Sequence, residues 1–140
     1  MFLLDTNVLS EMMRGEPARE PVAWVSRQPV DVLFTAAVCQ AELLAGLAVM
    51  PQGRRRHALE AAAQDMFAED FSGRILAFDA AAAVAYAELY AARRRAGRPA
   101  ATIDLMIAAI ARSQDASLVT RNVAHFAGCG ITVVNPWLAG

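Results

Sequence analysis

Five short apolar runs, each followed by a longer helix-compatible stretch, dominate what this chain can become: Phe2–Leu4, Val32–Phe34, Arg74–Phe78, Ser117–Thr120 and Ile131–Val134. Short apolar runs bounded by polar or turn residues read as strands buried on both faces. Helices between them supply the long connections that parallel strands need, with right-handed crossovers. The expectation is an α/β protein of three layers, α/β/α, around a central parallel sheet of four to five strands. One domain over residues 1–140 is expected, because a chain of this length makes one core of ordinary size.

The intervening stretches read as six helices. Asn7 is placed to cap the first, which runs through Met13 and is closed by Gly15. A second covers Val22–Arg27, a third Val38–Met50, and a fourth Arg54–Glu69 after a turn at Gln52–Gly53. Asp79 caps a fifth helix through Arg95, ended by Gly97 and Pro99, and a sixth runs from Thr102 to about Gln114. Trp24 is expected in the core. Tyr86 and Tyr90, four apart, share a helix face.

Composition removes several function classes. Hydrophobic residues make up 56% of the chain, which excludes disorder. All 13 basic residues are arginine, so Schiff-base and P-loop lysine chemistry are excluded. A net charge of −1 provides no global field for a polyanion, and any such contact must be local. Two cysteines, Cys39 and Cys129, make no disulfide framework and read as buried thiols in a reducing compartment. The N-terminal residues lack a signal-peptide pattern, and the richest apolar stretch, Ala77–Ala92, is broken by Asp79 and Glu88. A cytoplasmic location is the expectation.

The polar residues fall in a pattern. Asp5 follows the first strand directly, and Thr120, Arg121 and Asn122 close the fourth. Carboxyl ends of parallel strands line the crevice where open α/β sheets bind ligands. Glu42 and Asp104 sit early in helices that start near the same edge, among apolar neighbours. Each acid has a structural explanation alone: Asp5 as a helix cap, Glu42 paired with an arginine, Asp104 favoured by a helix dipole. Together, three acids at one edge repel unless a divalent cation offsets them. Hard cations such as Mg²⁺ and Mn²⁺ take carboxylate, water and phosphate oxygens. They polarise phosphoryl oxygens and lower the pKa of bound water, which points to phosphodiester hydrolysis. An aspartyl phosphatase built on Asp5 is disfavoured, since Asn7 stands where a second acid would be and no lysine assists.

The motifs Leu3-Leu4-Asp5-Thr6-Asn7-Val8-Leu9-Ser10-Glu11, Ala41-Glu42-Leu43-Leu44-Ala45-Gly46, Ala101-Thr102-Ile103-Asp104-Leu105-Met106-Ile107-Ala108 and Leu118-Val119-Thr120-Arg121-Asn122 occur in order along nearly the whole chain, with Val134-Asn135-Pro136-Trp137 at the end. In this the chain resembles the PIN domains, specifically the VapC/FitB-like ribonuclease toxins of type II toxin–antitoxin modules. The resemblance implies a Mg²⁺- or Mn²⁺-dependent endoribonuclease cutting tRNA or rRNA to leave a 3′-hydroxyl and a 5′-phosphate. It implies a homodimer and a small VapB/FitA-like antitoxin. Asp5, Glu42 and Asp104 match the acidic ligand positions, Thr6 and Asn7 the polar pair after the first acid, and Thr120 the supporting hydroxyl.

One departure stands out. Such proteins usually carry another acid at the position of Asn122 or three residues on, where this chain has His125. Asn122 offers a carbonyl oxygen to the catalytic site but no charge, which favours one metal over two. His125, beside Phe126, reads as a structural residue. Arg121 is the best phosphate contact, with Arg93, Arg94 and Arg98 as further RNA-binding candidates. Arg54–Arg56 and His57 read as a solvated helix face. Met12 and Met13 are candidates for an antitoxin groove. The uncharged Asn122 also keeps open a second class: a PIN-like module that holds RNA or a partner without cutting.

Overall fold

Leu3 and Leu4 are buried on the strand β1 (Phe2–Leu4), and that strand pairs in parallel on both of its edges. In the computed structural model, which describes residues 1–139, β2 (Leu33–Ala36) flanks it on one side and β4 (Ser117–Val119) on the other. β3 (Ile75–Leu76) continues beyond β2, and β5 (Val133–Val134) beyond β4. The order is β3-β2-β1-β4-β5, parallel throughout. The chain builds outward from β1 through β2 to β3, then crosses to the other side for β4 and β5. The order therefore reverses between β1 and β4. A crevice opens at such a point beyond the carboxyl ends of the two strands, and here those ends lead into Asp5 and Thr120.

Among the described residues six α-helices accompany the sheet: α1 (Thr6–Met12), α2 (Arg19–Ser26), α3 (Ala37–Ala48), α4 (Arg54–Asp65), α5 (Ala80–Arg95) and α6 (Thr102–Ser113). α5 packs along α6, and Ala82 and Ala85 on α5 and Ala108, Ala109 and Ala111 on α6 are buried. α5 ends in a Schellman motif: Arg98 N–H donates to the Arg93 carbonyl at 2.9 Å and Gly97 N–H to the Arg94 carbonyl at 3.1 Å. Gly97 sits there at φ +67°, which a residue without Cβ adopts without strain. The core gathers Leu3, Leu9, Ile107, Ile110, Leu118 and Phe126, and Trp24 is buried as the sequence suggests, edge-on to Phe2 with ring centroids 5.0 Å apart.

Several boundaries differ from the sequence reading. α2 begins at Arg19 rather than Val22. β2 runs past Phe34 to Ala36, and Thr35 lies within it, fully buried, with its hydroxyl donating to the Leu4 carbonyl at 2.9 Å. α4 stops at Asp65, and Met66–Asp70 form a π-helical turn that buries Met66 and Phe67. The third strand shrinks to Ile75–Leu76. Before it, the Arg74 guanidinium donates to the carbonyls of Val30, Leu33 and Asp70, and after it Phe78 packs edge-on against Tyr86. β5 keeps only Val133 and Val134.

Leu118 is fully buried in β4, one register step from the crevice. Leu118→Ala is expected to cost about 2–5 kcal/mol in chemical denaturation. Val49→Ala, at the exposed C-terminal end of α3, should change stability by less than about 0.5 kcal/mol.

Candidate functional site

Asp5 joins strand to helix with every polar atom it has. Its N–H extends the β1–β4 ladder to the Val119 carbonyl at 2.9 Å, and its own carbonyl accepts from Val8 at 3.0 Å and Leu9 at 3.2 Å. Its carboxylate caps α1, Oδ1 accepting from the Thr6 N–H at 2.7 Å. The cap is therefore Asp5, not Asn7, because the extended backbone of β1 runs through Asp5 and turns helical only at Thr6.

The second carboxylate oxygen of Asp5 accepts from the Thr120 hydroxyl at 2.8 Å and the Asn7 amide at 3.3 Å. The Asn7 amide also donates to Thr120 Oγ1 at 3.1 Å, and Asn7 Oδ1 accepts from the Arg121 N–H at 3.0 Å. Thr120 Oγ1 accepts from the Asn122 N–H at 3.1 Å as well, so this hydroxyl donates once and accepts twice. The ends of β1 and β4 are thus tied through side chains beyond the last ladder bonds.

The other two acids arrive at the same edge. Glu42, on the second turn of α3, is exposed and accepts from the Thr6 hydroxyl at 2.5 Å, not from an arginine. Asp104, in the first turn of α6, is one-quarter exposed, and its Oδ2 lies 3.3 Å from His125 Nδ1. Among the described residues, neither these two nor Asp5 forms an ion pair with an arginine. Asp5 itself is only 5% exposed. Burial holds its carboxyl above the usual aspartate value, against the hydrogen bonds from Thr120 and the Thr6 N–H; the charges of Glu42 and Asp104 push it further up. The three acids therefore feel one another. Among the described residues, however, no three of His, Cys, Asp and Glu are gathered closely enough to hold an ion by themselves. Each acid is tied to a neighbour of its own, and water or substrate oxygen would have to complete a coordination sphere. That suits a hard cation, which keeps several waters.

Below this edge lies Cys39, its Sγ 3.9 Å from Asp5 Oδ1. Burial, with the Asp5 charge adding, pushes the thiol up to about 12, so it stays protonated and faces the carboxylate as a weak donor. Cys129 is also buried and its thiol pushed up. Neither is a thiolate nucleophile at neutral pH.

The arginine candidates separate by what they touch. Arg93 is committed to backbone: Nη1 donates to the Ala127 carbonyl at 2.6 Å and Nη2 to the His125 carbonyl at 3.5 Å. It braces the loop after β4. Arg94 lies over the Tyr90 ring and donates to its hydroxyl at 3.0 Å. Arg98 is exposed. Arg121 is exposed beside Asn7, its guanidinium carbon 4.9 Å from the Trp137 ring centroid. Asn122 is exposed, and its backbone rather than its side chain is what binds Thr120.

Two residues near the site carry more than the sequence reading gave them. The sequence marks Cys39 only as a buried thiol, because its partner Asp5 is 34 residues away. His125 looks structural from its neighbours, and only the fold brings it to Asp104. Glu11 is buried like Asp5, but it serves the turn after α1: it accepts from the Ala18 N–H at 2.8 Å and pairs with Arg14.

A parallel sheet whose central switch point gathers acids at its carboxyl edge, capped through an Asp-Thr-Asn turn, is the arrangement that the PIN resemblance implies. The chain belongs to the PIN domain family, whose pattern matches residues 2–127. It is 40% identical over 139 residues to the plasmid stability protein StbB of Pseudomonas syringae pv. tomato, covering 99% of this chain and all of that one. It is 36% identical over 137 residues to the VapC ribonuclease Y4jK of Sinorhizobium fredii, covering 98% of each. The crystal structure of FitAcB from Neisseria gonorrhoeae superposes with a TM-score of 0.91 at 33% identity, covering 99% of both chains. No described helix is long and apolar enough to cross a membrane.

The raised carboxyl of Asp5 sets a pH dependence in metal-free buffer. Below its unfolded value of 3.8 the group is protonated in both states and costs nothing. As pH rises through the higher folded value, the unfolded chain releases this proton first, and the folded state loses stability. The melting temperature of the wild type minus that of Asp5→Asn is expected to fall with rising pH from about 4 and then level off. A difference independent of pH would contradict the burial penalty.

Proposed function

We propose that this protein is the toxin of a type II toxin–antitoxin module, an endoribonuclease that uses Mg²⁺ or Mn²⁺ to hydrolyse RNA phosphodiesters. The observation that carries this reading is a buried Asp5 carboxyl whose pKa is raised by burial and by two further acids, with no arginine among the described residues neutralising any of the three. The three acids offer carboxylate oxygen at an open edge, which fits a divalent cation.

Asp5, Asp104 and Glu42 would hold the ion, and Asn122 adds a carbonyl oxygen beside them. When bound, the cation supplies positive charge to the scissile phosphate and a more acidic water. The protein's own work is orientation. Thr120, Asn7 and the Thr6 N–H fix the Asp5 carboxylate, and the Thr6 hydroxyl fixes Glu42. Arg121 stands next to Asn7 and presents a cation to an incoming phosphate, while Arg98 and Arg94 offer outlying contacts. tRNA or rRNA is the substrate class, cut to a 3′-hydroxyl and a 5′-phosphate, and the cytoplasm is the place where such a substrate is met.

A VapB/FitA-like antitoxin has a fitting seat. A groove of about 530 Å³ runs between α1, α3 and α4, floored by Met13, Leu43, Leu47 and Leu59 with Arg14 and Arg55 at its rim. Of the two methionines read as groove residues, Met13 lines it and Met12 faces a separate cavity beside Phe71. Val84 and Tyr90 on α5 leave apolar surface for a homodimer. The binding-module reading retains one supporting observation, the exposed and uncharged Asn122.

Cleavage decides between the two. Purified chain free of antitoxin should cut structured RNA with Mn²⁺ or Mg²⁺ and stop in EDTA. Asp5→Asn and Asp104→Asn should each lower the rate by about 100-fold or more while circular dichroism stays unchanged. Cation-independent cleavage, or full activity in both variants, would overturn the nuclease proposal; metal binding without cleavage would leave the module. A saturating cation at 100 times its dissociation constant should also raise folding stability by about 2.7 kcal/mol, read as a melting shift.

A further inference from the structure

We propose that His125 is a nitrogen ligand of the cation site and makes that site prefer Mn²⁺ to Mg²⁺. The inference rests on the reading that Asp5, Glu42 and Asp104 hold a divalent ion. His125 Nδ1 lies 3.3 Å from Asp104 Oδ2. Neighbouring ligand atoms around an octahedral ion with bonds of about 2.1 Å are about 3 Å apart, so one ion can share this pair with little movement.

The side chain is delivered, not left at the surface by chance. His125 is 57% exposed in its side chain, yet its backbone is held on several sides. Its N–H donates to the Asn122 carbonyl at 3.1 Å, and its carbonyl accepts from Arg93 Nη2 at 3.5 Å. Arg93 Nη1 holds the Ala127 carbonyl at 2.6 Å, and Phe126, between them, is buried in the core. The 3₁₀ turn Val123–Phe126 is therefore anchored on both sides of an imidazole that reaches across to α6. A purely structural histidine gains little from this arrangement, since half of its ring faces water.

The chemistry of the donor then sets the choice of ion. Mg²⁺ favours oxygen and gives up water reluctantly, whereas first-row transition ions accept imidazole readily. With Asn122 uncharged, the loop after β4 brings an imidazole nitrogen in place of a further carboxylate.

The chain has only two histidines, and His57 is exposed on α4, so spectroscopy can assign the ligand cleanly. Pulsed electron paramagnetic resonance of the Mn²⁺-loaded full chain should show directly coupled imidazole nitrogen, lost in His125→Gln and kept in His57→Gln. By calorimetry the wild type should bind Mn²⁺ at least about tenfold more tightly than Mg²⁺, and His125→Asp should shrink that ratio several-fold by restoring an oxygen donor. Bound Mn²⁺ without nitrogen coupling, or an equal ratio in wild type and His125→Gln, overturns the proposal; His125 then merely contacts Asp104. Those results leave the nuclease reading intact, whereas failure of the wild type to bind either ion removes the cation site and with it both proposals.

Discussion

A single buried carboxylate governs this molecule. Asp5 closes the central strand through its backbone N–H, and its carboxylate caps the first helix and anchors the end of β4. The same burial that makes these bonds firm makes the charge costly. The sheet does not relieve that cost with an arginine. It instead leaves Glu42 and Asp104 near enough to worsen it. A buried carboxyl held at such a cost at a crevice is a mark of a functional site kept at the expense of stability.

Placement follows from topology. Because β1 lies between β2 and β4, the chain end of the first strand meets the chain end of the fourth, and Asn7 bonds Thr120, 113 positions further along the chain. The starts of α3 and α6 then bring their acids to the same edge. Thr35, one strand over, holds the Leu4 carbonyl from below, so the residue before Asp5 is fixed as well. Support for the site is therefore layered into the sheet and does not depend on a flexible loop.

Much of this was legible in the sequence because it is local. The strand at Phe2–Leu4, the Asp79 cap and the acids following apolar runs are all signals within a few residues. What was not legible is tertiary. Asp5 and Asn7 are both good caps, and only the length of β1 decides between them. Arg74–Phe78 reads as five strand residues, but Arg74 is drawn off by three carbonyls and Phe78 by Tyr86. In the run Arg93–Arg95 nothing singles out Arg93, and its commitment comes from a loop 32 to 34 residues further on. His125 beside Phe126 looks like an ordinary packing residue until α6 is placed against it.

The brevity of α1 matters beyond its own packing. Its seven residues separate the capped carboxylate at one end from the apolar groove that begins at Ser10 and Met13 near the other. At 1.5 Å per residue that separation is about 10 Å along the axis, the reach of three extended residues. A peptide seated in the groove therefore needs only a short tail, a tripeptide's worth of backbone, to lay its end across the mouth of the crevice. Occupancy of one depression and obstruction of the other become a matter of where that tail is cut.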